Sequence, residues 1–249
     1  MKDLLAIVKQ NTEIAENIYK ITLTLPESVD LKGGQFVNLS TGENSQLLRR
    51  PLGICTAEGK DITLCYQLKG KGTKKLSEAK AGEKLKVLLP LGNGFNLEKY
   101  KNIAVIGGGV GVFPLIFTMR KNSDKSFYTY FGFRNKKAVC LLDEVPKCRE
   151  FSVVTDDGSY GKKNNAVNAF FEAEPQVDLI IACGPPVMLK ALKSALVERD
   201  IKTPCLVSLE ERMGCGIGAC LVCTCKKTDG GNARVCKDGP VFDINEVEL

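Results

Sequence analysis

Four of the eleven cysteines carry a spacing that can do chemistry. Cys215, Cys220 and Cys223 lie in the run Cys-Gly-Ile-Gly-Ala-Cys-Leu-Val-Cys, and Cys236 follows thirteen positions after the third. The C-x4-C-x2-C…C arrangement is the plant-type [2Fe–2S] pattern. Such a cluster needs thiolates that converge on a small inorganic core. Gly214, Gly216 and Gly218 thin out the side chains there and allow the backbone angles a wrapping loop requires. A loop of this kind can also aim amide N–H groups at negative sulfurs. Four thiolates equally suit zinc. Structural zinc sites usually pair two C-x2-C units, however, and only one stands here. Cys225 is read as a bystander, since the pattern is complete without it.

The rest of the composition narrows the chemistry. The chain has no histidine and no tryptophan. That excludes histidine acid/base work, a Ser-His-Asp triad and histidine ligation of a metal. Electron and hydride transfer need none of these, because cofactors carry the reaction. The net charge of +6 is dispersed, and Lys69, Lys71, Lys74 and Lys75 form its densest group without a nucleic-acid-binding signature. No apolar run approaches the roughly 18 residues that span a bilayer. The first nine residues are too short an apolar stretch for a signal peptide. Cys55, Cys65, Cys140, Cys148, Cys183 and Cys205 are scattered singly, so a reducing cytoplasm is expected rather than a disulfide scaffold.

Three stretches offer bare backbone to a phosphate or a ring. Gly107-Gly108-Gly109-Val110-Gly111 follows an apolar run and precedes a helical one, as pyrophosphate binding requires. It lacks the regular G-x-G-x-x-G order, and no acid stands at Gly132-Phe133-Arg134 to hold a ribose. Gly70 and Gly72-Thr73 precede a short helix, where free N–H groups attract anions; alone, such a loop is merely a turn. Arg50 in Arg49-Arg50-Pro51-Leu52-Gly53 can make a bidentate phosphate contact. Asp156-Asp157-Gly158-Ser159 reads as a solvated turn.

Elements of two kinds must position these residues, and at 249 residues more than one module is expected. Residues 1–98 read as six short strands: 4–9, 18–25, 35–39, 53–57, 62–67 and 85–89. Ile21, Leu23 and Leu25 fall on one face, and Pro26, Gly33-Gly34, Gly42, Gly59 and Gly82 mark turns. The spacing predicts an antiparallel β-barrel, with one helix over 73–79 and Thr73 as its N-cap. Residues 99–205 alternate strands (102–106, 127–131, 151–155, 177–183, 205–209) with helices (after the glycine run to about 121, then 141–145, 166–172 and 186–198). That is an α/β parallel-sheet domain with nucleotide crevices at the strand C-termini. Residues 206–249 form a small C-terminal cluster domain.

The motifs resemble those of ferredoxin-reductase-like flavoproteins. Arg50-Pro51-Leu52-Gly53 falls where that family carries Arg-x-Tyr-Ser/Thr. The resemblance implies that Arg50 holds the FAD pyrophosphate, joined by Gly72 and Thr73, and that Cys65, Tyr66 and Gln67 border the flavin. Leu52 replaces the family's aromatic residue and Gly53 its hydroxyl. The Gly53 N–H then stands in for the hydroxyl at flavin N5. Tyr66 is either a substitute aromatic or an ordinary barrel residue. Ala182-Cys183-Gly184-Pro185 resembles the element that meets the nicotinamide, which adds Cys183, Gly184 and Pro185 to Gly107, Gly108, Gly109 and Gly111 as the NAD site.

Over its whole length, and most specifically over Glu210–Gly214 and the cysteine loop, the chain resembles the electron-transfer subunits of type B dihydroorotate dehydrogenases. The resemblance implies that Cys215, Cys220, Cys223 and Cys236 are the cluster ligands. It also implies a partner: an FMN-bearing dihydroorotate dehydrogenase catalytic subunit, in a heterotetramer with two of each chain. Electrons would pass from that FMN through the cluster and FAD to NAD+ in pyrimidine biosynthesis. The flavin subunit of a sulfide dehydrogenase or of an NADH-linked ferredoxin oxidoreductase shares the architecture. A regulatory module holding zinc and a nucleotide is the non-enzymatic alternative.

Overall fold

The computed structural model describes residues 1–41 and 48–249; the turn expected at Gly42 lies outside them. Six strands close a barrel: β1 (Lys2–Ala15), β2 (Ile18–Thr24), β3 (Phe36–Leu39), β4 (Arg50–Glu58), β5 (Asp61–Gln67) and β6 (Lys84–Leu91), in the order β1-β2-β5-β4-β3-β6. Every pairing is antiparallel. Ile21, Leu23, Val37, Leu39, Leu64 and Val87 fill the interior with no exposed surface. β1 runs well past the expected Lys9. Its first half pairs with β6 and its second with β2, with register shifts at Val8/Gln10 and Glu13/Ala15. A strand that turns a barrel corner bends at such bulges. Its outer residues are polar, which hides the extension from a search for apolar alternation.

The short helix α1 (Lys71–Ser77) begins two residues earlier than expected, with Gly70 as its N-cap. Thr73 is therefore not the cap. It sits in the first turn, and its hydroxyl reaches back to accept the Lys69 and Gly70 N–H groups at 2.9 and 3.2 Å.

The second sheet has β7 (Asn102–Gly108), β8 (Ser126–Phe133), β9 (Glu150–Thr155), β10 (Lys162–Lys163), β11 (Leu179–Cys183) and β12 (Cys205–Ser208), flanked by α2 (Val112–Lys121), α3 (Ala166–Ala173) and α4 (Pro186–Glu198). Its order is β10-β9-β8-β7-β11-β12-β15, and β15 (Val241–Asp243) is the one antiparallel member. The chain builds outward from β7 in one direction and from β11 in the other. The switch point between them opens a crevice at the strand C-termini. The glycine run ends β7 and Cys183 ends β11, so both stretches meet there. The helix expected over 141–145 is only a single 3₁₀ turn, Leu142–Glu144. Five residues before Pro146 are too few to repay helix nucleation.

The two layers share their packing. Phe117 of α2 joins the barrel core, whereas Phe113 of the same helix packs under the sheet. Gly33 lies so near α2 that a Cβ would come within 2.5 Å of Thr118. Lys20 and Arg120 both bond Glu144, the first at 2.8 Å, and tie β2 to the loop beyond β8.

The cysteine segment is held from both sides. A hairpin, β13 (Thr224–Lys226) with β14 (Asn232–Arg234), carries it, and β15 then adds Val241 and Phe242 to the edge of the large sheet. From the barrel, Asn93 donates through Nδ2 to the carbonyls of Asp238 (3.2 Å) and Val241 (2.9 Å). It accepts the Val241 N–H at 3.1 Å. Asn93→Ala removes all three side-chain bonds at a part-buried seam. It is expected to lower stability by about 1–3 kcal/mol, read as a lower thermal midpoint of the intact chain. An unchanged midpoint would show that the seam holds without this side chain.

Candidate flavin, nucleotide and cluster sites

A cavity of about 320 Å³ lies between β4, β5, α2 and the segment after β12. Arg50, Pro51, Leu52 and Gly53 form one wall; Cys65, Tyr66, Gln67 and Thr73 continue it, and Cys183 closes the far end. Residues taken from four separate stretches thus border one space.

Arg50 begins β4, and its guanidinium donates to the Leu48 carbonyl. It lies against the start of α1 so closely that a Cβ on Gly72 would overlap it. Glycine at 72 is what lets the arginine and the helix start share one location. Gly53 faces Pro114 of α2, where a Cβ would meet the proline ring at 3.5 Å. Tyr66 borders the cavity but is committed to the barrel. Its hydroxyl donates to Asn11 Oδ1 at 3.0 Å and its ring stacks on Tyr19 at 5.7 Å. Burial pushes its hydroxyl pKa up, so it stays neutral. The next residue back, Cys65, turns to the other face of β5 and packs toward α2. Its bond with Cys55, together with burial, holds its thiol well above the usual range.

At the switch point the glycines serve packing as much as access. A Cβ on Gly107 would come within 2.8 Å of Phe131, one on Gly108 within 2.6 Å of Met188, and one on Gly111 would overlap the Cys183 carbonyl. Gly109 differs: it has φ +53° and open space around it. Gly184 and Pro185 pack against Met188 and Gly108 and lead into α4. Cys183 is buried, and desolvation followed by the nearby Glu210 carboxylate raises its thiol pKa, with Ser208 opposing. It is a neutral thiol.

Sequence reasoning passed over several residues of this cavity: Val110, Phe113 and Pro114 on or before α2, and Leu209, Glu210, Glu211 and Met213 after β12. A signal existed for the second group, since a segment leaving the C-terminal end of a parallel strand lies where crevices form.

The cysteine loop points its amides at its own sulfurs. Cys215 Sγ accepts N–H groups from Ile217 (3.4 Å), Ala219 (3.3 Å) and Cys220 (3.4 Å). Cys220 Sγ accepts the Cys215 N–H at 3.3 Å, Cys236 Sγ the Gly218 N–H at 3.1 Å, and Cys223 Sγ the Cys236 N–H at 3.4 Å. Left-handed backbone at Gly216 (φ +73°), Gly218 (φ +83°) and Leu221 (φ +60°) curls the loop to achieve this. Burial opposes ionisation of Cys215, but the amides of Ile217, Cys220 and Ala219 outweigh it and bring its thiol pKa down to about 6. Burial and the adjacent Cys223 sulfur push Cys236 up to about 12. Two neighbouring sulfurs that resist joint ionisation are what bound cations relieve. Among the described residues no three ligating side chains gather as one ion requires. The sulfurs stand as two linked pairs, 215/220 and 223/236. Cys225 lies apart on β13, opposite Ala233.

Residues 210–248 match the family model of the iron–sulfur cluster binding domain of dihydroorotate dehydrogenase B. The whole chain is 38% identical to the dihydroorotate dehydrogenase B (NAD(+)), electron transfer subunit, of Bacillus pumilus, covering 100% of this chain and 99% of that one. Its counterpart from Streptococcus mutans is 37% identical at 100% and 99% coverage. The chain belongs to the family of dihydroorotate dehydrogenase B electron transfer subunits.

Members of this family are oxidoreductase subunits, and the chain is the electron-transfer subunit of an NAD-dependent dihydroorotate dehydrogenase. An iron–sulfur domain takes the place of the zinc alternative. Among solved structures, a chain of the NADH-dependent reduced ferredoxin–NADP oxidoreductase, described for flavin-based electron bifurcation, superposes with a TM-score of 0.84 at 27% identity, over 98% of this chain and 89% of that one. Phthalate dioxygenase reductase shares the fold, with a TM-score of 0.69 at 16% identity over 99% and 96% of the two chains.

The loop geometry of the electron transfer subunit gives a direct test. In the metal-free chain, alkylation of Cys215 is expected to rise with pH through about 6, well below the usual thiol value. Mass spectrometry of iodoacetamide-treated peptides reads this, and a midpoint near that of the scattered cysteines would show that the amides do not act on it.

Proposed function

We propose that Cys215, Cys220, Cys223 and Cys236 hold a [2Fe–2S] cluster, that the cavity at β4 and β5 holds FAD, and that the switch-point crevice takes NAD. In this division residues 1–98 bind FAD, 99–205 bind NAD and 206–249 carry the cluster. One observation carries the reading: Met213 and Pro240, on either side of the cysteines in sequence, line the same cavity as Arg50–Gly53 and Cys183. Segments adjoining each of the three proposed sites therefore border one cavity.

Bound there, a flavin exchanges hydride with a nicotinamide and single electrons with an iron–sulfur centre. The residues of the chain supply position and field. Arg50 and the α1 start face the pyrophosphate with N–H donors. Leu52 would offer an aliphatic surface to the ring, and the Gly53 N–H would stand in for the family's hydroxyl. Gly109 gives the nucleotide bare backbone, and Cys183 lies toward the nicotinamide as an uncharged wall. The amides around Cys215 stabilise charge on the cluster sulfurs.

The partner is a catalytic dihydroorotate dehydrogenase subunit bearing FMN, in a heterotetramer of two chains of each kind, acting in the cytoplasm. The six cysteines outside the loop are scattered singly along the sequence, the usage of a reducing compartment. No helix among the described residues is long and apolar enough to cross a membrane. Around the exposed Cys220 the loop presents Ile217, Leu221 and Val222 with 44%, 62% and 56% of their surface open. An apolar patch at the rim of a redox centre suits a docking face.

Two experiments test this. Co-expression with a candidate FMN subunit is expected to give dihydroorotate-dependent NAD+ reduction, and an assembled, cofactor-replete complex without that activity would refute it. Arg50→Ala is expected to weaken flavin retention roughly tenfold or more, the worth of one charged hydrogen bond. Flavin content equal to wild type after gel filtration would remove Arg50 from the site.

A further inference from the structure

Asn38 is a polar residue in an apolar strand. Val37 and Leu39 point into the barrel, and Asn38 points the other way with only 1% of its surface exposed. That outer face of β3 is covered by the cysteine segment, since Phe36 shares an apolar cluster with Cys223 and Cys236. Asn38 Nδ2 donates to the Cys215 carbonyl at 3.3 Å. Its Oδ1 is buried and finds no partner among the described residues. An unsatisfied buried acceptor costs stability, and an apolar side chain would avoid it. Stability does not explain an asparagine here.

Its neighbours do. Gly216 comes so close that a Cβ would overlap Asn38 Nδ2. Across the ladder, Asn38 is paired with Pro51 of the flavin-cavity strand. Its side chain therefore links β3, the ladder neighbour of that strand, to the first cysteine of the loop. The carbonyl it holds belongs to the residue whose sulfur collects the Ile217, Ala219 and Cys220 amides. Hydrogen bonds to cluster sulfurs tune the potential of the centre.

We propose that Asn38 is a positioning residue for electron transfer: its amide fixes the Cys215 carbonyl, and with it both the aim of the loop amides at the Cys215 sulfur and the placement of the loop against the flavin-binding strand. This rests on the cluster and flavin assignments above.

The test uses the full chain in complex with its FMN partner. Asn38→Leu removes the donor and the orphaned acceptor together; Asn38→Ala removes both without adding bulk beside Gly216. Flavin, iron and sulfide content are measured first. Then come the EPR spectrum and midpoint potential of the reduced cluster, and the rate at which NADH reduces it. Asn38→Leu is expected to retain both cofactors, shift the EPR signal and the potential, and slow cluster reduction by about tenfold, as small misplacements do. Asn38→Ala is expected to move the same readouts in the same way. Wild-type signal, potential and rate in Asn38→Leu would reduce Asn38 to a filler and overturn the proposal. If Asn38→Leu fails to retain its cluster, Asn38→Ala decides: a shifted signal supports the proposal and an unshifted one overturns it. A wild-type chain without flavin or inorganic sulfide would instead overturn the assignments on which the proposal rests.

Discussion

The docking of the C-terminal segment onto two different layers is the contact on which the rest of the structure depends. β15 extends the parallel sheet through β12, and Asn93 grips the same turn from the barrel. A segment fixed to only one layer would swing with it. Fixed to both, it holds the cysteine loop in one orientation toward the cavity and makes Met213 and Pro240 part of the cavity wall. Electron transfer between separate carriers depends on their separation, so a rigid seam is the structural requirement.

Glycine makes that closeness possible. At Gly72, Gly111 and Gly216 a side chain would overlap an arginine, a strand-end carbonyl and an asparagine amide respectively. Gly216 lies where the cysteine loop meets the barrel, while Gly72 and Gly111 let elements of one layer close on each other. Gly33 brings the barrel against α2. Most of the glycines of the phosphate-binding type thus also serve packing, and Gly109 is the one of its run with an open face.

Electrostatics divide the thiols into two populations. Cys65, Cys140, Cys183 and Cys205 are buried, and each has its pKa raised. They behave as small apolar side chains. Cys215 is drawn the other way by amides aimed at its sulfur. At Cys215 it is the backbone conformation, rather than the residue itself, that lowers the pKa.

The cysteine spacing, the absence of histidine and the change from period-two strands to alternating strands and helices are one-dimensional properties. They were enough for the barrel, the parallel sheet and a redox role. The six barrel strands were found, although β1 was taken too short because its outer face is polar. β10, the β13–β14 hairpin and β15 went unseen, since strands of two or three residues have no period to detect. Their pairing is decided by what lies beside them. The same holds for Thr73, which took a place inside the helix because Gly70 could extend at its start. It holds for Tyr66, turned inward by Asn11 and Tyr19. Asn38 carries no local signal of its own. Its surroundings come from residues far along the chain, and only folding brings those together.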